Sequence, residues 1–168
     1  MPEPLTVEAV DALDEAAFVA AFGHVYEDSP GLAAAAWRRR PFGSRADLVS
    51  AFRDVTDDLS DDEVLALLRA HPQLAAAGPM TASSSDEQRS AGLTTADRQT
   101  RDEIAAGNAR YLETFGFPFI IAVRGLQPAD VAAALAERLH HDPATELATA
   151  LQQVQRIAEL RIGRIVVP

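Results

Sequence analysis

Apolar residues in this chain recur every three or four positions, and a helix-capping side chain or a proline stands in front of nearly every such run. That pattern dictates helices almost from end to end. Asp14 caps a run with Phe18, Ala21, Phe22 and Val25 on one face. Ser29-Pro30 opens a second helix that reaches Trp37 and stops before Pro41. Ser44 starts a third, with Leu48, Phe52 and Val55. Ser60-Asp61-Asp62-Glu63 is a capping box ahead of Val64, Leu67 and Leu68. This helix should end at His71, because Pro72 disfavours helical geometry in the residue before it. Small residues, glycine and proline predict a loop over 75–83. A long helix follows over 95–115, and Pro128 and Asp142-Pro143 open the last two. The final stripe is Leu147, Leu151, Val154, Ile157 and Leu160.

One stretch breaks the pattern. Residues 116–123, centred on Phe117-Pro118-Phe119-Ile120-Ile121, have strand propensity, but no second strand is evident and proline demotes the run from any central position. It reads as an extended, buried connector. With no repeats and no linker, residues 1–168 are expected to form a single compact all-α domain of seven to nine helices. Its 168 residues are enough for a core without covalent staples.

Composition removes whole classes of chemistry. The chain has no cysteine, so disulfides and thiolate nucleophiles are out. All 15 basic residues are arginine, so no lysine is present to form an imine or to serve a phosphate loop. A net charge of -10 argues against nucleic acid and anionic membranes as partners. No apolar run approaches the ~20 residues of a membrane span, and Met1-Pro2-Glu3-Pro4 does not look like a signal peptide. A cytoplasmic location is expected.

Four histidines remain: His24, His71, His140 and His141. None are paired at the four-residue spacing of a helical zinc site, and no metal site is expected. His140 and His141 read as surface residues at a helix end. His71 stands apart, because it sits where a helix terminus meets a proline-fixed turn. There it either satisfies terminal carbonyls or projects into a cleft, and the helix dipole favours its charged form. Ser84 to Glu87 has the spacing of a second capping box, and the same spacing sets a hydroxyl beside a carboxylate for a ligand. Arg161, on the apolar last helix, either reaches solvent or offers a planar fork to a carbonyl or carboxylate. Arg164 is its rival for that role.

Longer strings then carry a family resemblance. They are Trp37-Arg38-Arg39-Arg40-Pro41-Phe42, His71-Pro72-Gln73-Leu74 and Glu87-Gln88-Arg89-Ser90-Ala91-Gly92-Leu93, followed by Asn108-Ala109-Arg110-Tyr111 and Phe115-Gly116-Phe117-Pro118-Phe119-Ile120. In order and spacing they resemble the 2-oxo-4-hydroxy-4-carboxy-5-ureidoimidazoline (OHCU) decarboxylases of urate breakdown. The resemblance spans about 18–165, and the aromatic string after the asparagine and tyrosine is its most specific part. Loop 75–83 is shorter than in many relatives and lacks their basic residue. Asparagine is frequent in the family where this chain has His140 or His141.

The resemblance implies a helical homodimer without cofactor or metal, acting on a small-molecule ureide. It implies that His71 and Glu87 are catalytic, and that Pro72, Ser84, Phe117, Phe119, Ile120, Ile121 and Arg161 bind substrate. The expected reaction is decarboxylation of OHCU to (S)-allantoin. Two other classes fit the helical pattern: a non-catalytic interaction module, and a hydrolase or cyclase acting on a related ureide.

Overall fold

A computed structural model describes residues 3–75 and 80–168. Among them the chain forms nine helices: α1 (Val7–Asp11), α2 (Glu15–Phe22), α3 (Pro30–Trp37), α4 (Arg45–Asp57), α5 (Asp61–Arg69), α6 (Ala82–Ser90), α7 (Arg98–Phe115), α8 (Pro128–Arg138) and α9 (Pro143–Ile165). The only strand-like pairing among the described residues is an isolated bridge between Leu5 and Val166. The fold is all-α, as the apolar spacing dictates.

Contacts divide the chain into two compact units. One comprises Met1–Leu67 and Gln155–Pro168, the other Leu68–Val154. In the first, Asp14 and Ser44 cap α2 and α4 by accepting the amides of Ala17 and Asp47. The faces these caps set in register bring Phe18, Phe22, Phe42 and Phe52 together, with ring centroids 4.6 to 6.1 Å apart. Each such side chain contributes about 1.5–3 kcal/mol on burial. The Tyr26 hydroxyl donates to the Phe52 carbonyl at 2.7 Å, so its buried oxygen is satisfied.

The second unit is built on α7 and α8. Gly107 lets them approach closely: a Cβ there would lie 2.5 Å from Leu135 Cδ2 and 2.9 Å from its Cγ. Gly107→Ala should therefore destabilise the protein by about 1–2 kcal/mol, because overpacking exceeds the ~1 kcal/mol gained in helix propensity. Denaturant unfolding checks this, and Leu135→Val in the same chain should recover part of the loss. At the other end of α7, Gly116 adopts φ 78°, a left-handed conformation that closes the helix and releases the chain into the extended connector.

Several boundaries differ from the sequence expectation. Helix α5 ends at Arg69, and His71 lies beyond it in a turn closed by its amide on the Leu68 carbonyl at 3.2 Å. Helix α6 begins at Ala82, so the expected loop over 75–83 is shorter at its C-terminal end; residues 76–79 lie outside the described residues. Its cap is Thr81, whose hydroxyl accepts the Ser84 amide at 3.3 Å. Ser84 is therefore inside the helix and does not cap it. Helix α7 starts at Arg98 behind Asp97, three residues later than expected. Among the described residues, no helix is long and apolar enough to cross a membrane.

Candidate active site

The second unit gathers the expected site residues from three segments, all but Arg161. The first is the turn after α5. The reciprocal cap expected at the start of α5 is present (Ser60 amide to Glu63 Oε2, 2.8 Å; Glu63 amide to Ser60 Oγ, 3.3 Å). His71 is 7% exposed and Pro72 is half-buried. Two residues on, the main chain is gripped from two helices. Asn108 Nδ2 of α7 donates to the Leu74 carbonyl, and Gln88 Oε1 of α6 accepts the Ala75 amide, each at 2.9 Å. Ala75 adopts φ 56°, a conformation that costs a non-glycine residue energy and persists only under such restraint.

The second segment is α6. Ser84, Glu87 and Gln88 stand three and four residues apart and so share one face. Ser84 and Gln88 are buried and Glu87 is half-buried. Gln88 thus ties the turn that carries His71 to the helix that carries Glu87.

The third segment is the connector. Arg69 Nε, two residues before His71, donates to the Gly116 carbonyl at 2.9 Å and anchors its start. Phe117 and Phe119 are fully packed, edge-on to Tyr111 at 5.7 and 5.4 Å. Ile120 is buried and Ile121 half-buried. With their rings committed to Tyr111, these phenylalanines present main chain more readily than side chain to a ligand. Among the described residues, the amides of Phe119, Ile120 and Ile121 donate no hydrogen bond, whereas Ala122 donates to Gln153 Oε1 at 3.0 Å. Buried amides without partners are costly, which makes them natural donors to a bound oxygen.

Arg161 lies in the first unit. Its Nη1 contacts Glu27 Oε2 at 3.0 Å and the carbonyls of His24 and Val25 at 3.1 and 3.4 Å. Both side chains of the Arg161–Glu27 pair are 2% exposed. Arg164, the rival, is exposed. Burial lowers the pKa of His24, and the positive charge of Arg161 lowers it further. Among the described residues, no group of three His, Asp or Glu side chains is arranged to hold a metal ion.

Sequence reasoning did not anticipate Gln88 and Asn108 as clamps on the main chain, nor the buried cluster of Arg138, Glu146, Tyr111 and His141. His141 was expected at the surface with His140. His140 is exposed, but His141 is half-buried, with Nδ1 2.9 Å from Glu146 Oε2. The asparagine and tyrosine of the 108–111 string held the one available signal, because both face inward on α7.

An imidazole at a buried turn, a hydroxyl and a carboxylate on one helix face, and connector amides without partners among the described residues are groups able to transfer protons and to hydrogen-bond a small ligand. Comparison with known proteins makes this specific. The family model for OHCU decarboxylase matches residues 11–163. The 2-oxo-4-hydroxy-4-carboxy-5-ureidoimidazoline decarboxylase of Haloferax volcanii is 44% identical over 159 residues, covering 95% of each chain. The mouse (Mus musculus) protein of that name is 41% identical over 157 residues, covering 91% of this chain and 88% of its own. A crystal structure of OHCU decarboxylase in the presence of (S)-allantoin aligns with TM-score 0.71 and 25% identity, over 90% of this chain and 97% of that one. The chain belongs to the OHCU decarboxylase family.

Proposed function

We propose that the chain decarboxylates OHCU to (S)-allantoin in urate degradation, with His71 and Glu87 as its acid–base residues. The observation that carries the reaction is the family match across residues 11–163. The residue roles draw on the strings that carry the resemblance and on the placement of His71, Ser84, Glu87 and the connector in one unit.

The chemistry requires a place for the electron pair left when carbon dioxide departs. With no lysine, the chain has no amine to form an imine with substrate. The substrate supplies its own acceptor. As the bond from the hydroxyl-bearing ring carbon to the carboxylate breaks, the pair becomes a carbon–carbon double bond within the ring. The adjoining C=N bond yields its electrons to nitrogen, which takes up a proton. Carbon dioxide leaves and an enol remains. His71 then accepts the hydroxyl proton as the enol collapses to a carbonyl, and protonation of the ureido-bearing carbon from one face gives the S product. The protein orients the ring, strips water from the carboxylate and moves protons. Ser84, Glu87 and the amides of Phe119, Ile120 and Ile121 hold the ring and ureido groups. Pro72 and Phe117 border them, and the resemblance assigns Arg161 to a substrate carbonyl.

The test uses freshly generated OHCU and purified protein. Its absorbance should decay faster than in the spontaneous reaction, and the allantoin formed should be the S form. A rate equal to the spontaneous one would overturn this reading and favour a helical interaction module or an enzyme of a related ureide. We further propose a single-domain, cytoplasmic homodimer, for which light scattering should give twice 18.0 kDa.

A further inference from the structure

The connector lacks both a helical ladder and a strand partner, so side chains must hold it in shape. At its centre Arg138 Nη1 donates to the Ile120 carbonyl at 2.6 Å. That guanidinium is itself built in: its Nε lies 2.7 Å from Glu146 Oε1, and Nη2 contacts the same carboxylate. Glu146 is 0% exposed, and it also accepts the Tyr111 hydroxyl and faces His141 Nδ1. Burial pushes the Tyr111 phenol far above its ordinary value of 10.0, and the hydrogen bond to Glu146 pushes it further, so the hydroxyl stays a donor. The Arg138 guanidinium carbon sits 4.6 Å from the centroid of the Phe119 ring.

Stability alone does not account for this arrangement, because apolar residues of similar volume often replace a buried ion pair without loss. Its geometric consequence is more specific. The Ile120–Ile121 peptide is trans, so its carbonyl and its N–H lie in one plane and point in opposite directions. Gripping the carbonyl therefore aims the N–H of Ile121, which has no partner among the described residues, away from the Arg138–Glu146 cluster.

We propose that Arg138, oriented by Glu146, is a positioning residue that fixes the Ile120–Ile121 peptide so that the Ile121 N–H meets an oxygen of the bound ureide. This rests on the reading of the connector as part of the substrate site. Arg138 thus acts on substrate affinity through the Ile121 N–H and takes no part in proton transfer.

The test is Arg138→Lys, which keeps the charge but has no planar fork to reach Glu146 and the Ile120 carbonyl together. With the circular dichroism spectrum unchanged, KM for OHCU and the Kd for (S)-allantoin, measured by calorimetry, should each rise about tenfold, the loss of one well-made hydrogen bond. The kcat should change less than threefold. In ligand-free protein, the backbone order parameter of Ile121 should fall from about 0.85 toward 0.6, while those of α7 stay unchanged. A folded variant with wild-type KM, Kd and Ile121 order would overturn the proposal. If Arg138→Lys does not fold, the triple variant Arg138→Met, Tyr111→Phe, Glu146→Leu removes the anchor and its charges together, with the same expectations. A wild-type protein that neither turns over OHCU nor binds allantoin would sink the functional reading, whereas the order-parameter result judges the positioning claim by itself.

Discussion

Replacing His71 with asparagine should lower kcat by about 10²–10⁴-fold, the usual contribution of a positioned proton-transfer group, with the helical content unchanged. The fold should survive because the turn there is made by main chain. The His71 amide bonds the Leu68 carbonyl, Pro72 constrains the backbone of the residue before it, and the clamps from Asn108 and Gln88 act at Leu74 and Ala75. Asparagine suits such a turn but has no group that takes up a proton near neutral pH. Allantoin affinity should change much less than kcat, which separates lost chemistry from lost binding. Near-native turnover by the asparagine variant would remove His71 from the chemistry.

Arg161→Ala should cost about 3–5 kcal/mol of stability, because it removes the cation 3.0 Å from the Glu27 carboxylate, which is 1% exposed. It also strips a donor from the carbonyls of His24 and Val25. Denaturant unfolding measures the loss. The double variant Glu27→Leu, Arg161→Met should regain most of it, since removing both charges removes the penalty that removing one creates. A second readout is local: without the guanidinium, the pKa of His24 should rise, because Arg161 helps to hold it below its ordinary value. If Arg161→Ala were as stable as wild type, the pair would not be the structural tie that its burial indicates, and Arg161 would act through substrate alone. Arg161→Lys keeps the charge and loses the fork, so it should retain more stability than the alanine variant.

Much of this fold is legible because helix signals are local. Asp14, Ser44 and the box at Ser60 each announce a helix within four residues of its start, and the structure uses all three. The break at 116–123 is equally local: Gly116 ends α7, and the apolar string after it has no partner strand. Ser84 misled because Thr81, three residues earlier, is just as able to cap. With residues 75–83 read as loop, the choice fell on the wrong hydroxyl. The five-residue α1 is too short to show a period.

Tertiary pairings were out of reach for a different reason. Arg161 and Glu27 stand 134 positions apart, and Glu146 meets Tyr111 across 35. Glu27 lies in the turn between α2 and α3 and Glu146 in the first turn of α9, where charge is ordinary, and only the packed chain shows that they and Arg161 are buried. The clamps on the His71 turn were hidden in the same way. Gln88 stood in plain view inside a string that carried the resemblance, but nothing local says that its amide faces the main chain of another segment.

The central claim is that carbon dioxide leaves the substrate within a helical pocket served by His71. It is tested most directly with OHCU labelled at the carboxylate carbon, following labelled carbon dioxide and chiral allantoin in the same vessel. Wild-type protein should release one labelled carbon dioxide for each (S)-allantoin formed, well above the spontaneous rate, and the asparagine variant at His71 should approach that spontaneous rate. Accelerated loss of OHCU with the label retained in a ring-opened or rearranged product would contradict the account.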